Sequence, residues 1–214
     1  MQLRKFCLLT SVFFNVINLS AQDKSNVKYG RISPEDFAHK FYSIDSNANA
    51  VVIADIGTSE VIANSKGSFS LEFTHYRRVH ILNKNGYDAA NVVFELYNDG
   101  DNEEKVDDLK GVTYNLENGK VVATKLDKNA MFKDKLSKKW EARKFTLSNV
   151  KEGSIIEFEY KTMSDFLFNV EPWEFQGDYP VLWSEYNFSK PEFLGYVPLS
   201  QGEQNFFLKD QKDH

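Results

Sequence analysis

Cysteine is nearly absent: the 214 residues hold one, Cys7. It lies in a segment that starts with Arg4 and Lys5, runs through an apolar stretch from Phe6 to Leu19, and ends on Ser20-Ala21. That is the pattern of a secretory signal peptide over residues 1–21, with cleavage expected after Ala21. Its apolar stretch is interrupted by Thr10, Ser11, Asn15 and Asn18 and is short for a bilayer span. No later stretch is long and apolar enough for a transmembrane helix, so the chain is not read as an integral membrane protein. With the signal gone, no thiol remains for a disulfide framework, a thiolate metal site or a cysteine nucleophile. Positive charge is scarce as well. Losing residues 1–21 removes two cations and no acid, which takes the net charge from −5 to −7. No Lys/Arg stripe relieves that balance, which argues against nucleic-acid binding.

Known catalytic signatures are missing too. The histidines are His39, His75, His80 and His214, with no HExxH spacing, so no metal site is assigned. There is no GxSxG and no phosphate-binding glycine loop, so no catalytic or cofactor-binding residue is assigned and no cofactor is expected. The acidic stretch from Asp99 to Asp108 lacks the glycine and distal glutamate of an EF-hand and reads as a solvated loop.

What is present is apolar and aromatic: 42% hydrophobic residues and 14% Phe, Trp and Tyr, too many for a disordered chain. Residues 22–33 are polar and read as a flexible leader. Ser33-Pro34-Glu35-Asp36 then looks like a capped helix start, with Phe37, Phe41 and Ile44 on one stripe of a helix of about three turns. Beyond it, strand signals dominate. Residues 68–82 alternate, with Phe69, Leu71, Phe73, His75, Arg77, Val79 and Ile81 on one face. Glu117-Asn118-Gly119 joins Val112–Leu116 to Lys120–Leu126 as a hairpin. Lys151-Glu152-Gly153 is expected to join Phe145–Leu147 to Ile155–Thr162 as a second one, and Val181 to Phe188 reads as a late strand. Residues 127–138 read as a short helix. The fold class is all-β: an antiparallel β-sandwich or strongly curved sheet with one short N-terminal helix.

Two features are candidate binding sites. His75 and Arg77 are carried inward by alternation, where an arginine must be paired. They contact either an anion or substrate, or an internal acid such as Glu157 or Glu159, unless a bulge turns them outward. Trp173 and Trp183 head an aromatic group with Phe175, Tyr179, Tyr186 and Phe188. Such a group serves as a sugar platform or, more commonly, as core.

Several segments in order carry a resemblance. They are Ser33–Phe37, Ala50–Asp55, His75-Tyr76-Arg77-Arg78-Val79-His80-Ile81-Leu82 with Gly86, Thr113–Leu116 with Gly119-Lys120-Val121, and Lys125-Leu126. Asn149–Ser154 with Glu157–Tyr160, Trp173-Glu174-Phe175-Gln176, and Pro180–Tyr186 complete the series. Together they resemble the N-terminal β domain, of unassigned function, of exported bacterial transglutaminase-like proteins. The resemblance spans roughly residues 30–200. It implies an accessory domain over 34–200, lacking its last strands, followed by a polar tail at 201–214. It also implies a periplasmic or outer-envelope location and, as partner, a downstream transglutaminase-like domain with a Cys-His-Asp triad. No position here matches that triad, so this chain is expected to be non-catalytic. The alternatives are a stand-alone carbohydrate- or peptide-binding module of the envelope, with a protein or glycan ligand, and an envelope hydrolase built on two carboxylates.

Overall fold

The computed structural model describes residues 27–202, 205–207 and 209–210, so the expected signal peptide lies outside the described residues. The strands are β1 (Ala50–Ala63), β2 (Phe69–Ile81), β3 (Asn91–Tyr97), β4 (Lys105–Glu117), β5 (Lys120–Lys125), β6 (Phe132–Lys135), β7 (Trp140–Thr146), β8 (Ile155–Ser164) and β9 (Ser184–Ser189). They form a six-stranded sheet in the order β5-β4-β8-β2-β1-β9 and a three-stranded sheet in the order β3-β7-β6. The fold is all-β, as the alternation predicts. Every pairing is antiparallel except β1 with β9, which is parallel.

The core lies where the two sheets face each other. Val52 from β1, Phe73 and Val79 from β2, and Phe158 and Tyr160 from β8 meet Phe94 and Leu96 from β3 and Phe145 from β7. Phe94 stacks on Tyr160 with ring centres 4.1 Å apart. Burying each such side chain contributes about 1.5–3 kcal/mol. The β4–β5 hairpin turns at Asn118 (φ 51°) and Gly119 (φ 74°), the left-handed pair that a tight hairpin turn demands.

Four local expectations are corrected. The N-terminal helix is a single 3-10 turn, Pro34–Phe37, with the Asp36 carboxylate accepting from the Ser33 amide at 2.7 Å. Phe37 is buried against Val112, Tyr114 and Ile155, but Phe41 and Ile44 are exposed. A short helix needs a packed stripe to persist. Here Tyr42 is held instead by His80, with its hydroxyl 2.8 Å from Nδ1. Residues 127–138 hold only a 3-10 turn, Lys128–Ala130, before β6 pairs with β7. The expected second hairpin does not form: β7 and β8 lie in different sheets, so residues 147–154 arch across the sandwich. Phe145 and Phe158 can then meet edge-on in one core, their ring centres 5.7 Å apart. The late strand is also shorter than expected, beginning at Ser184, with Val181 making one isolated bridge to Val52.

The outer face of the six-stranded sheet carries a buried polar hub. Glu157 is fully buried. It accepts hydrogen bonds from Arg78 Nη2 (2.8 Å), the Tyr76 hydroxyl (3.0 Å), the Tyr114 hydroxyl (2.7 Å) and the Gly30 amide (2.6 Å). Arg78 Nη2 also donates to the Lys28 carbonyl at 2.8 Å. Residues 28–30 of the expected leader are therefore tied to β2 and β8. At the other end, Phe206 packs edge-on against Phe175.

Gly57 of β1 shows how tightly the inner face is filled. A Cβ there would lie 2.4 Å from the Trp173 ring and 3.0 Å from Tyr186. Gly57→Ala is expected to lower stability by about 1–3 kcal/mol through overpacking, measured by urea unfolding. An unchanged midpoint would show that Trp173 does not sit on this strand.

Candidate functional site

Strand β2 runs through its pairing with β8 without a register break, so its inward residues are those of the sequence alternation: Phe73, His75, Arg77 and Val79. Strand β1 is different. Its register slips between Val52 and Ala54, a bulge that shifts the parity of the residues beyond it. Val52 and Asp55 thereby face the same interior, although strict alternation would send Asp55 to the other side. Asp55 ends opposite Arg77 and is 1% exposed.

A chain of contacts follows. Asp55 Oδ2 accepts from Arg77 Nη2, and Asp55 Oδ1 lies 2.6 Å from His75 Nε2. His75 Nδ1 lies 3.2 Å from the Tyr160 hydroxyl. Burial alone would raise the Asp55 carboxyl, but the hydrogen bonds from His75 and Arg77 outweigh it and hold the group below its ordinary range. Burial pushes His75 down despite Asp55 beside it, so the imidazole is neutral. With Asp55 ionised, Nε2 carries the proton and donates to it, and Nδ1 accepts from Tyr160. Both ring nitrogens are thus held by hydrogen bonds within the protein.

Trp173 walls this network. It meets His75 edge-on at 5.2 Å, stacks on Tyr186 at 5.6 Å, and donates from Nε1 to Ser184 Oγ at 3.1 Å. Trp183 stands apart: its Nε1 donates to Glu185 at 3.0 Å and its ring meets Phe207 at 6.3 Å. Strand alternation puts Trp183 and Glu185 on the opposite side of β9 from Ser184 and Tyr186. The structure therefore brings His75, Arg77 and Trp173 together and leaves Trp183 out. The expected acid for Arg77 is also corrected. Glu157 pairs with Arg78 and Glu159 with Lys110, because β8 sets Glu157 opposite Arg78.

The three-stranded sheet leaves a cleft of about 220 Å³ over this network. Arg77, His75, Val52 and Val79 line it on one side, and Asp88, Val92, Asp178 and Tyr179 on the other. Asp88 and Asp178 are exposed, and the Tyr179 hydroxyl donates to Asp88 Oδ1. The Arg77 side chain is 35% exposed, while its Nε is buried and has no protein partner. Asp55, Tyr160 and Asp88 escape sequence reasoning. An acid directly after the apolar run Val51-Val52-Ile53-Ala54 is the only signal for Asp55, and it does not reveal the bulge.

A second polar cluster closes the neighbouring end of the core. Glu104 is buried and accepts from Ser164 Oγ (2.7 Å), Asn169 Nδ2 (2.9 Å) and the Tyr97 amide (2.7 Å). Glu171 shares a small pocket with Glu104 and Glu95. Burial, reinforced by those two carboxylates, raises Glu171 from 4.5 to about 7. A raised acid binds its proton more tightly folded than unfolded, so its contribution is full below pH 4.5 and is lost as pH rises through about 7. Glu171→Gln is therefore expected to gain stability over the unmutated chain as pH climbs from 5 to 8, read from paired thermal melts. A pH-independent gap would contradict the burial of Glu171. Among the described residues, no group of three or more His, Cys, Asp or Glu is placed to hold a metal ion. Nor is any helix among them long and apolar enough to cross a membrane.

No protein-family model matches the chain, and no curated protein matches it. Among solved structures, a chain from Parabacteroides distasonis described as a candidate protease is similar at a TM-score of 0.41 and 13% identity. The alignment covers 55% of this chain and 23% of that one. At that score the likeness carries no argument about fold or function.

Proposed function

We propose that this chain is a non-catalytic accessory β-sandwich domain of an exported bacterial envelope protein, supporting or orienting a downstream transglutaminase-like domain. Residues 22–214 hold no cysteine for the family's triad, which supports the non-catalytic reading, and His75 is held in place by Asp55 on one ring nitrogen and Tyr160 on the other. The buried carboxylate Asp55 is likewise occupied on both oxygens, by His75 and Arg77. The remaining support is the ordered series of segments from Ser33–Phe37 to Pro180–Tyr186. Reading the coding sequence beyond codon 214 tests the architecture. A domain with a cysteine followed by histidine and aspartate is the expected result, and a stop codon directly after His214 would overturn it. Fractionating cells that express the tagged protein tests export, with recovery from the periplasm or outer envelope expected and retention in the cytoplasm contradicting it.

A further inference from the structure

Arg77, half-buried, is built differently from the buried Arg78 beside it. Arg78 donates from Nε and Nη2 to Glu157 and from Nη2 to Lys28. Arg77 donates only Nη2, to Asp55, while Nε has no protein acceptor though it is buried. A structural arginine at such a position is ordinarily fully paired, because an unmet buried donor is costly. Arg77 is also held still: Asp55 fixes it, His75 fixes Asp55, and Tyr160 fixes His75. Nε is closed off from the cleft and Nη2 is taken by Asp55, so the part of the fixed guanidinium open to a ligand is Nη1, which donates to no protein atom and suits a carboxylate.

The rest of the cleft narrows the ligand. Its volume of about 220 Å³ lies below the usual range for drug-sized ligands and suits a molecule of a few heavy atoms. Asp55 already balances the Arg77 charge, so a bare anion finds little net attraction. Asp88 and Asp178 line the opposite wall and repel a second negative charge. A cationic group on the same ligand turns that repulsion into attraction. Val52 and Val79 offer an apolar patch between them. We propose that the cleft binds a small zwitterion of the amino-acid class, its carboxylate on Arg77 and its ammonium facing Asp88 and Asp178. This goes beyond the accessory role and does not depend on it.

Titration of the ¹⁵N-labelled chain with L-alanine, acetate and ethylammonium tests the proposal. Alanine is expected to shift the Arg77 Nε–H and the Val92 and Asp178 amides saturably, with affinity on the order of millimolar. Acetate and ethylammonium should each bind about tenfold more weakly or worse. Arg77→Lys keeps the charge and loses the fork, and should weaken alanine by about tenfold. Asp178→Asn, at an exposed position that does not threaten folding, should weaken alanine and leave acetate unchanged or tighter. No saturable shift with alanine would overturn the proposal. So would equal binding of alanine and acetate, or an Asp178→Asn variant that treats both ligands as the unmutated chain does.

Discussion

Glu157→Ala is expected to lower folding stability by about 3–5 kcal/mol, the range for breaking a buried ion pair by removing one partner. The loss is large because several donors depend on one carboxylate. Arg78 is 6% exposed and would keep its charge without a partner. The hydroxyls of Tyr76 and Tyr114 and the amide of Gly30 would lose their acceptor at the same time. At roughly 2–4 °C per kcal/mol for a chain of this size, the melting temperature should fall by about 10 °C. Glu157→Gln keeps an acceptor oxygen and should lie between the two. Because Lys28 and Gly30 are tied to this hub, amide exchange at residues 28–30 should accelerate more than exchange along β5. A loss below about 1 kcal/mol would mean that the network does not hold the sheet's outer face.

Asp55→Ala should be the second most damaging single change, at about 2–4 kcal/mol, because it strips His75 and Arg77 of their shared acceptor. Its pH signature is distinct from that of Glu171. The Asp55 carboxyl is depressed in the folded chain, so its contribution is present above its unfolded value of 3.8 and is lost as pH falls through the lower folded value. The Asp55→Ala variant should therefore differ most from the unmutated chain near neutral pH, and the gap should close on acidification below 3.8. Urea midpoints across that range check it. A gap that persists unchanged below pH 3 would point to lost packing rather than to lost charge pairing.

The inward row of β2 was legible because it is a matter of period alone. Phe73, His75, Arg77 and Val79 alternate with residues of the other face, and the pairing with β8 preserves that parity along the strand. The hairpin at Asn118-Gly119 was legible because the dipeptide specifies its own backbone angles. Partnerships between strands were not. Glu157 and Glu159 are both acids on β8, and only register says that Arg78, not Arg77, stands opposite Glu157. Asp55 was hidden for a sharper reason: one bulge reverses the parity of β1, and nothing in Val52-Ile53-Ala54 announces it. The arch over residues 147–154 carries the same turn chemistry as a hairpin, with Asn149 at φ 60° and Gly153 at φ 82°. Turn residues show that the chain reverses, and long-range packing decides which sheet receives it. Trp173 and Trp183 look alike in sequence, yet one is tied to Ser184 beside His75 and the other to Glu185 across the sheet.

The central claim is that Asp55 holds Arg77 as a fixed cation at the floor of the cleft. A double-mutant cycle with Asp55→Asn and Arg77→Gln, read by urea unfolding at pH 7, measures that link directly. The predicted result is a coupling of about 1.5–3 kcal/mol between the two positions. Effects that add to within about 0.5 kcal/mol would contradict it.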